Sequence, residues 1–177
     1  MNIPNLLTTL RIVLVPIYLT AFFSNMTNGI MIAGVIFMLA GISDVLDGYI
    51  ARKYDMTTKL GSVLDPLADK LMTFAVLISF THAKLISYWI PLALGIKELT
   101  MIIGGAILYL FKGNQVMSSN KFGKIATIFF YGATLSVIFH LPEIIIKGLF
   151  FITVLLNLIA FINYLSIYLS IRENKVS

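Results

Sequence analysis

Apolar residues run along this chain in six long stretches, separated by short polar or charged breaks. The stretches cover roughly residues 5–23, 29–51, 62–81, 86–111, 122–140 and 145–170. Each is close to the about 20 mostly apolar residues that a membrane-spanning helix requires. The breaks hold turn-forming or charged residues, such as Ser24-Asn25 and Arg52-Lys53. The pattern therefore predicts an all-α fold, an integral membrane bundle of six transmembrane helices.

The composition agrees with a membrane protein. Of the 177 residues, 59% are hydrophobic and only 12% are charged, whereas a soluble domain carries about 25% charged residues. No internal repeat, low-complexity segment or linker interrupts the pattern, so residues 1–177 are predicted to form a single domain. The chain has no cysteine, which excludes disulfides and thiolate metal sites.

Basic residues are unevenly divided between the two sides that six crossings would create. If the N-terminus is cytoplasmic, that side also holds Arg52, Lys53, Lys59, Lys112, Lys121, Lys124, Arg172 and Lys175. The opposite side holds Lys84 and Lys147. Cytoplasmic loops carry an excess of Lys and Arg, so both termini are predicted to be cytoplasmic. The net charge is +5, but the basic residues do not form a stripe interleaved with aromatic residues. We therefore expect membrane lipid and no nucleic acid as a partner.

Four aspartates stand where the second and third stretches meet the predicted cytoplasmic side. Asp44 and Asp47 are three residues apart, and Asp65 and Asp69 are four residues apart. Both spacings place the two side chains on one face of a helix. The short connection makes the two helices antiparallel neighbours. The two pairs are therefore expected to meet about one to two helical turns from the cytoplasmic surface.

Carboxylates that converge in a medium of low dielectric must be neutralised. Like charges at such distances repel strongly, so protons or cations have to join them. Hard divalent cations with oxygen ligands fit best, namely Mg²⁺, Mn²⁺ or Ca²⁺. Four carboxylates suit two ions about 4 Å apart, which can clamp a phosphoryl group. The structural alternative is a pair of solvated helix ends, but acids inside a membrane mark functional sites.

Small and basic residues accompany these aspartates. Gly48 and Gly61 lie inside predicted helices, where a glycine costs about 1 kcal/mol and needs a reason. A missing side chain allows a bulky ligand or another backbone to approach closely. Ala51 is also small, and the guanidinium of Arg52 suits a phosphate or nucleotide oxygen.

The spacing of these residues resembles the signature of the CDP-alcohol phosphotransferase family, D-x2-D-G-x2-A-R followed by G-x3-D-x3-D. The signature is met by Asp44, Asp47, Gly48, Ala51, Arg52, Gly61, Asp65 and Asp69. The resemblance implies an integral membrane enzyme of six helices, often a homodimer. Such enzymes transfer a phosphatidyl or related group from a CDP-linked donor to an alcohol and release CMP. We expect a bacterial plasma membrane, with the active site on the cytoplasmic side, because the chain is compact and shows no targeting presequence.

The resemblance also implies a role for each residue of the signature. Two divalent cations, Mg²⁺ or Mn²⁺, would be held by the four aspartates Asp44, Asp47, Asp65 and Asp69. The last of them, Asp69, would be the general base that takes the proton of the acceptor hydroxyl. The CDP moiety would be lined by the remaining signature residues, Gly48, Ala51, Arg52 and Gly61.

The opening, N-I-P-N-L-L-T-T-L-R-I, resembles that of phosphatidylglycerophosphate synthases and the related cardiolipin synthases. Asn5, Thr8 and Arg11 are spaced by three and share a helix face, which makes them candidates for contacting the nucleotide or a phosphate. Capping of the helix is the alternative for Asn5 and Thr8. This resemblance implies CDP-diacylglycerol as the donor and glycerol 3-phosphate as the acceptor, with Arg11 also a candidate for the acceptor phosphate.

Three lysines, one inside the fourth stretch and two at the start of the fifth, are the other candidates for the acceptor phosphate. Lys97 precedes Glu98 where phosphatidylglycerophosphate synthases often carry Arg-Glu, and a structural ion pair is the alternative. Lys121 and Lys124 lie in a segment that resembles G-K-x-K-T, and topological anchors are the alternative. Ala126 replaces the second lysine of that pattern. Cardiolipin synthases of this fold, whose acceptor is phosphatidylglycerol, also lack this lysine and are the second choice.

Two further classes of protein were weighed against an enzyme. A divalent-cation transporter also uses intramembrane carboxylates, but it places them near the midplane, on broken helices of two related halves. Here the acids lie toward one surface and the halves show no symmetry. A lipid-binding or scaffold protein gives no reason for four convergent carboxylates. The sequence therefore favours a metal-dependent phosphatidyltransferase.

Overall fold

The computed structural model describes residues 3–54, 59–111 and 121–173. These residues form six α-helices, α1 Ile3–Phe22, α2 Gly29–Lys53, α3 Lys59–His82, α4 Trp89–Phe111, α5 Lys121–Ile138 and α6 Glu143–Glu173. Each lies within about four residues of the boundaries that the apolar stretches predict. The prediction of an all-helical protein with six helices is therefore confirmed.

Three of the helices in the described part of the chain are long and apolar enough to cross a membrane. They are Pro4–Phe22, Gly29–Lys53 and Glu143–Ser166. Helix α3 has less apolar character because it carries Asp65, Asp69 and Lys70 along its length. Length and composition thus support a membrane protein, while six crossings and cytoplasmic termini stay predictions.

One side of α1 is suited to contact with lipid. Its exposed apolar side chains are Leu6, Leu10, Val13 and Ile17. Their spacing of three or four residues places them on one helical face. Thr8 and Arg11, which lie between them in the sequence, are buried instead. Helix α1 therefore has an outer face for the bilayer and an inner face that carries polar groups.

Residues Met1–Leu85 form one compact unit. Helix α1 packs extensively against both α2 and α3, whereas α2 and α3 contact each other much less. Aromatic rings fill the contact, with Phe22 centred 5.9 Å from Tyr18 and 5.8 Å from Phe80. Such ring pairs pack favourably at these distances. Because α1 lies against both neighbours, its inner polar face meets side chains of α2 and α3.

Residues Ile86–Ser177 form the second compact unit. Helix α6 packs against α5 and, less extensively, against α4. Ala133 and Ala160 are completely buried, and small residues allow helices in a membrane to approach closely. The buried hydroxyls of Ser136 and Thr153 donate to carbonyls of their own helices at 2.7 and 2.8 Å. These bonds satisfy polar groups that would be costly to expose to lipid.

The first residue of α2, Gly29, has no room for a side chain. A Cβ there would lie 2.8 Å from the carbonyl oxygen of Ala21 and 2.9 Å from Oγ of Ser24. We expect Gly29→Ala to lower the free energy of unfolding by about 1–3 kcal/mol, the usual cost of overpacking. Thermal unfolding in detergent micelles measures this loss.

A matched control for this substitution lies in α5. A Cβ at Gly132 would meet nothing within 4 Å, so Gly132→Ala should leave stability unchanged or raise it by up to about 1 kcal/mol. Equal unfolding temperatures for the two variants would contradict the close packing at Gly29.

Candidate active site

Three of the four aspartates meet around polar side chains of α1. Asp44 and Asp47 lie in the C-terminal half of α2, and Asp65 lies in the first third of α3. Asp47 is almost completely buried, at 3% exposure, while the carboxylates of Asp44 and Asp65 are partly exposed. The first acidic pair and Asp65 of the second thus come together, and they do so against α1.

Arg11 is the centre of this cluster. Its side chain is 2% exposed, and its Nη1 and Nη2 donate to carboxylate oxygens of Asp44 and Asp47 respectively. Nη2 also lies 3.8 Å from Oδ1 of Asp65. The planar guanidinium can engage two carboxylates at once, which a lysine ammonium does less well. One buried cation therefore draws acids of two helices onto α1.

Thr8 adds a hydroxyl one helical turn before Arg11. Its Oγ1 lies close to Oδ1 of Asp65 and 3.4 Å from Oδ2 of Asp47. The same oxygen lies 3.1 Å from the carbonyl oxygen of Pro4. A threonine hydroxyl has one proton and so donates to one of these acceptors at a time. Thr8 thereby links carboxylates of α2 and α3.

Asp69 stands apart from the α1 contacts. Its carboxylate is 34% exposed and its Oδ2 lies 3.6 Å from Nζ of Lys70. Such exposure and pairing are features of a solvated helix end, the structural alternative to a metal site. Asp69 nevertheless lies within electrostatic reach of Asp44. Asp44, Asp47 and Asp65 therefore form one cluster around Arg11 and Thr8, and Asp69 is its outlying member, held by neither of them among the described contacts.

Two of the residues predicted to line a nucleotide, Gly48 and Arg52, lie against each other. The guanidinium of Arg52 lies over Gly48, where an added Cβ would be 3.4 Å from Nη1. Gly48 and Ala51 are half-buried, and Gly61 and Asn5 are buried. The backbone carbonyl of Asn5 accepts a hydrogen bond of 2.8 Å from Thr9. Gly48 thus leaves the space that the Arg52 guanidinium occupies.

The lysines predicted for the acceptor phosphate belong to the second unit. Lys97 is 12% exposed and its Nζ lies 2.7 Å from Oε1 of Glu98, so the ion pair considered as the alternative is formed. Lys121 and Lys124 are exposed on the first turn of α5. Ala126, one half-turn further, is buried. The position that departs from the G-K-x-K-T pattern therefore faces the protein interior.

The sequence analysis missed the role of Arg11 as partner of the carboxylates and placed it among phosphate ligands. A signal was available, because an arginine inside an apolar helix has to find an acid. Ser43, which donates from α2 to the carbonyl of Leu7 in α1 at 3.3 Å, was also missed. Its type and position carry no sequence signal that distinguishes it from other serines in helices.

The donor set of the cluster suits divalent cations in type, because it consists of carboxylate oxygens from two helices. As the side chains stand, no three acidic or histidine residues in the described ranges are arranged to hold a metal ion. Arg11 explains this arrangement, since its guanidinium draws three of the carboxylates toward itself. The carboxylate oxygens that the guanidinium now holds are the same type of ligand that a divalent cation would need.

Comparison with known proteins points in the same direction. The family described as CDP-alcohol phosphatidyltransferase matches residues 1–165. A protein of Aquifex aeolicus is 36% identical over 77% of this chain and 75% of its own length. A protein of Haemophilus influenzae is 41% identical over 51% of this chain, and one of Rickettsia bellii is 46% identical over 44%. All three relatives are named CDP-diacylglycerol–glycerol-3-phosphate 3-phosphatidyltransferase.

The extent of these matches differs between the relatives. The matched segment spans about half the length of the Haemophilus protein, at 49%, and 42% of the Rickettsia protein. Because the family match covers residues 1–165, it includes all four aspartates together with Thr8 and Arg11.

Proposed function

Because the chain belongs to the CDP-alcohol phosphatidyltransferase family, we propose that it transfers a phosphatidyl group from CDP-diacylglycerol to glycerol 3-phosphate. The products are phosphatidylglycerophosphate and CMP. The names of the relatives support both substrates. The observation that supports the proposal is the convergence of Asp44, Asp47 and Asp65 on Arg11.

Members of this family generally use divalent metals. We assign two such cations, Mg²⁺ or Mn²⁺, to the four aspartates Asp44, Asp47, Asp65 and Asp69. Bound there, the cations would neutralise the diphosphate of the donor and stabilise the charge that develops on the phosphoryl oxygens. Arg52 would add a guanidinium that is suited to phosphate oxygens, next to the bare backbone of Gly48.

Asp69 is assigned as the general base. The acceptor hydroxyl oxygen forms a bond to the phosphorus that carries diacylglycerol, and the bond from that phosphorus to the oxygen of CMP breaks. The hydroxyl proton passes to the carboxylate of Asp69. Two observations support this choice: the carboxylate is 34% exposed, and its partner is Lys70 rather than a residue of α1. A base must be free to approach the attacking oxygen within hydrogen-bond distance.

The acceptor is assigned from charge and from the relatives. Glycerol 3-phosphate is anionic, and Lys97, Lys121 and Lys124 supply positive charge in the second unit. The lipid donor would reach the site from the bilayer, with the site on the cytoplasmic side of a bacterial plasma membrane. We retain the prediction of a homodimer as part of this proposal.

The test of the proposed function is an assay of CMP release by the purified protein. CDP-diacylglycerol and Mg²⁺ or Mn²⁺ are supplied with glycerol 3-phosphate, phosphatidylglycerol, inositol phosphate or serine in parallel reactions. We expect release with glycerol 3-phosphate. The variant Lys147→Gln, which changes an exposed ion pair with Glu143, should retain activity and controls for preparation quality.

Each other outcome of this assay has a defined meaning. No CMP with any acceptor would contradict an enzyme of this class. Release with phosphatidylglycerol alone would favour the cardiolipin synthase alternative, which the alanine at position 126 supports. Release without added divalent cation, in the presence of a chelator, would contradict the assignment of metals to the aspartates.

A further inference from the structure

Arg11 holds the carboxylates to which the proposed function assigns divalent cations. Its two terminal nitrogens bind Asp44 and Asp47, and Nη2 is 3.8 Å from Asp65. Cations that used these oxygens would lie next to the guanidinium and be repelled by it. The ion pairs and the metal site therefore compete for the same oxygen atoms.

A further donor of Arg11, the N–H of Nε, has no hydrogen-bond partner among the residues that the structure describes. This nitrogen is buried. A guanidinium offers five N–H donors in a fixed plane, and two neighbouring donors fit two oxygens of a phosphate. A buried donor without an acceptor is unfavourable, so the arrangement around Nε is incomplete in the chain alone. An anionic ligand is the kind of group that would complete it.

The net charge of the cluster determines which combination of ligands it can accommodate. With Arg11 in place, two divalent cations would turn the negative charge of the four aspartates into a net positive charge. The diphosphate of a nucleotide donor would make the total negative again. Cations alone are therefore disfavoured by Arg11, whereas cations together with a diphosphate are not, because the guanidinium then has a new acceptor.

We propose that Arg11 is a counter-ion switch, which neutralises Asp44, Asp47 and Asp65 until divalent cations and the diphosphate of a nucleotide arrive together. The guanidinium then exchanges its carboxylate partners for diphosphate oxygens. Arg11 thereby couples the binding of cations to the binding of the donor. Before these ligands bind, it holds the carboxylates of the cluster in place. This inference rests on the assignment of metals to the aspartates in the proposed function.

The test measures Mn²⁺ binding to the full-length protein in detergent, with and without CDP, by isothermal titration calorimetry or Mn²⁺ electron paramagnetic resonance. Without CDP, Arg11→Gln should bind Mn²⁺ at least about tenfold more tightly than the parent protein, because a neighbouring positive charge is gone. Arg11→Lys keeps the charge but cannot hold two carboxylates in one plane, and should fall between them. Lys147→Gln removes the same charge elsewhere and should bind Mn²⁺ as the parent does.

The second arm of the test compares the effect of CDP. We expect CDP to tighten Mn²⁺ binding more in the parent protein than in Arg11→Gln, because only the parent gains from moving the guanidinium. Unchanged or weaker Mn²⁺ binding by Arg11→Gln and Arg11→Lys, or an equal effect of CDP on all variants, would overturn the switch.

The measurements distinguish failure of the switch from failure of the proposed function. A parent protein that binds Mn²⁺ and releases CMP in the assay above, with no difference in Mn²⁺ binding between the Arg11 variants, would leave the function standing without the switch. Absence of Mn²⁺ binding in every variant would remove both the switch and the metal assignment. The folded state of each variant is confirmed by its unfolding transition.

Discussion

Asp69→Asn is expected to lower the rate of CMP release by about 10²–10⁴-fold, the contribution typical of a general base. Asparagine has nearly the same shape as aspartate and keeps one carbonyl oxygen, but it does not accept the proton of the acceptor hydroxyl. Asp69 is also the member of the cluster that α1 does not hold among the described contacts. The loss should therefore appear in turnover, while CDP-diacylglycerol still binds.

Asp44→Asn is the matched comparison for this prediction. Asp44 accepts a hydrogen bond from Arg11 and is assigned to the metals, so its amide variant should weaken Mn²⁺ and donor binding as well as turnover. Rates are measured as CMP release at saturating glycerol 3-phosphate, and donor binding by calorimetry. Near-normal turnover in Asp69→Asn would rule out the base role, and a parallel loss of donor binding would assign Asp69 to holding the donor instead.

The positions of the helices follow from the sequence because the apolar stretches are long and their breaks are polar. Every predicted stretch corresponds to a helix, and the largest shifts occur at ends such as that before Trp89. The meeting of Asp44 and Asp47 with Asp65 was also predictable, since helical periodicity places each pair on one face. Both features depend on the spacing of residues that are close together along the chain, and a single sequence gives that spacing directly.

The partners of each helix were not predictable in the same way. In lipid, both the outer surface and the interior of a bundle are apolar, so the pattern along a helix says little about which neighbour it contacts. The sequence suggested that α2 and α3 meet directly, because the connection between them is short. The structure shows α1 packed against both of them, with much less contact between α2 and α3.

The role of Arg11 was not predicted because it depends on which helices α1 contacts. Its ion pairs reach Asp44 and Asp47, more than thirty positions away along the chain. No spacing rule connects residues so far apart, so the sequence suggested a phosphate ligand instead of a carboxylate partner. Lys70 is a smaller case, since it adjoins Asp69 in the sequence and so points in a different direction from the helix, yet its long side chain brings Nζ within 3.6 Å of Oδ2 of Asp69. Flexible side chains are not fixed by helical periodicity.

The ion pair of Arg11 with Asp47 predicts the largest loss of stability in this unit. Both side chains are nearly completely buried, and removing one partner of a buried pair leaves a charge without compensation. The usual cost is about 3–5 kcal/mol. Because Arg11 also contacts Asp44, we expect Asp47→Leu to lower the free energy of unfolding by about 3 kcal/mol, at the lower end of that range.

Thermal unfolding in micelles with a chelator present measures this loss without any contribution from bound cations. A loss of about 3 kcal/mol corresponds to a decrease of roughly 6–12 °C in the unfolding temperature of a chain of this size. The exposed pair of Glu143 and Lys147, with atoms 2.7 Å apart, is the control, and Glu143→Leu should leave the unfolding temperature unchanged.

Adding Arg11→Met to Asp47→Leu should restore part of the loss, because the unpaired cation is then removed as well. An unfolding temperature of Asp47→Leu equal to that of the parent would show that Arg11 does not depend on Asp47 for its charge compensation.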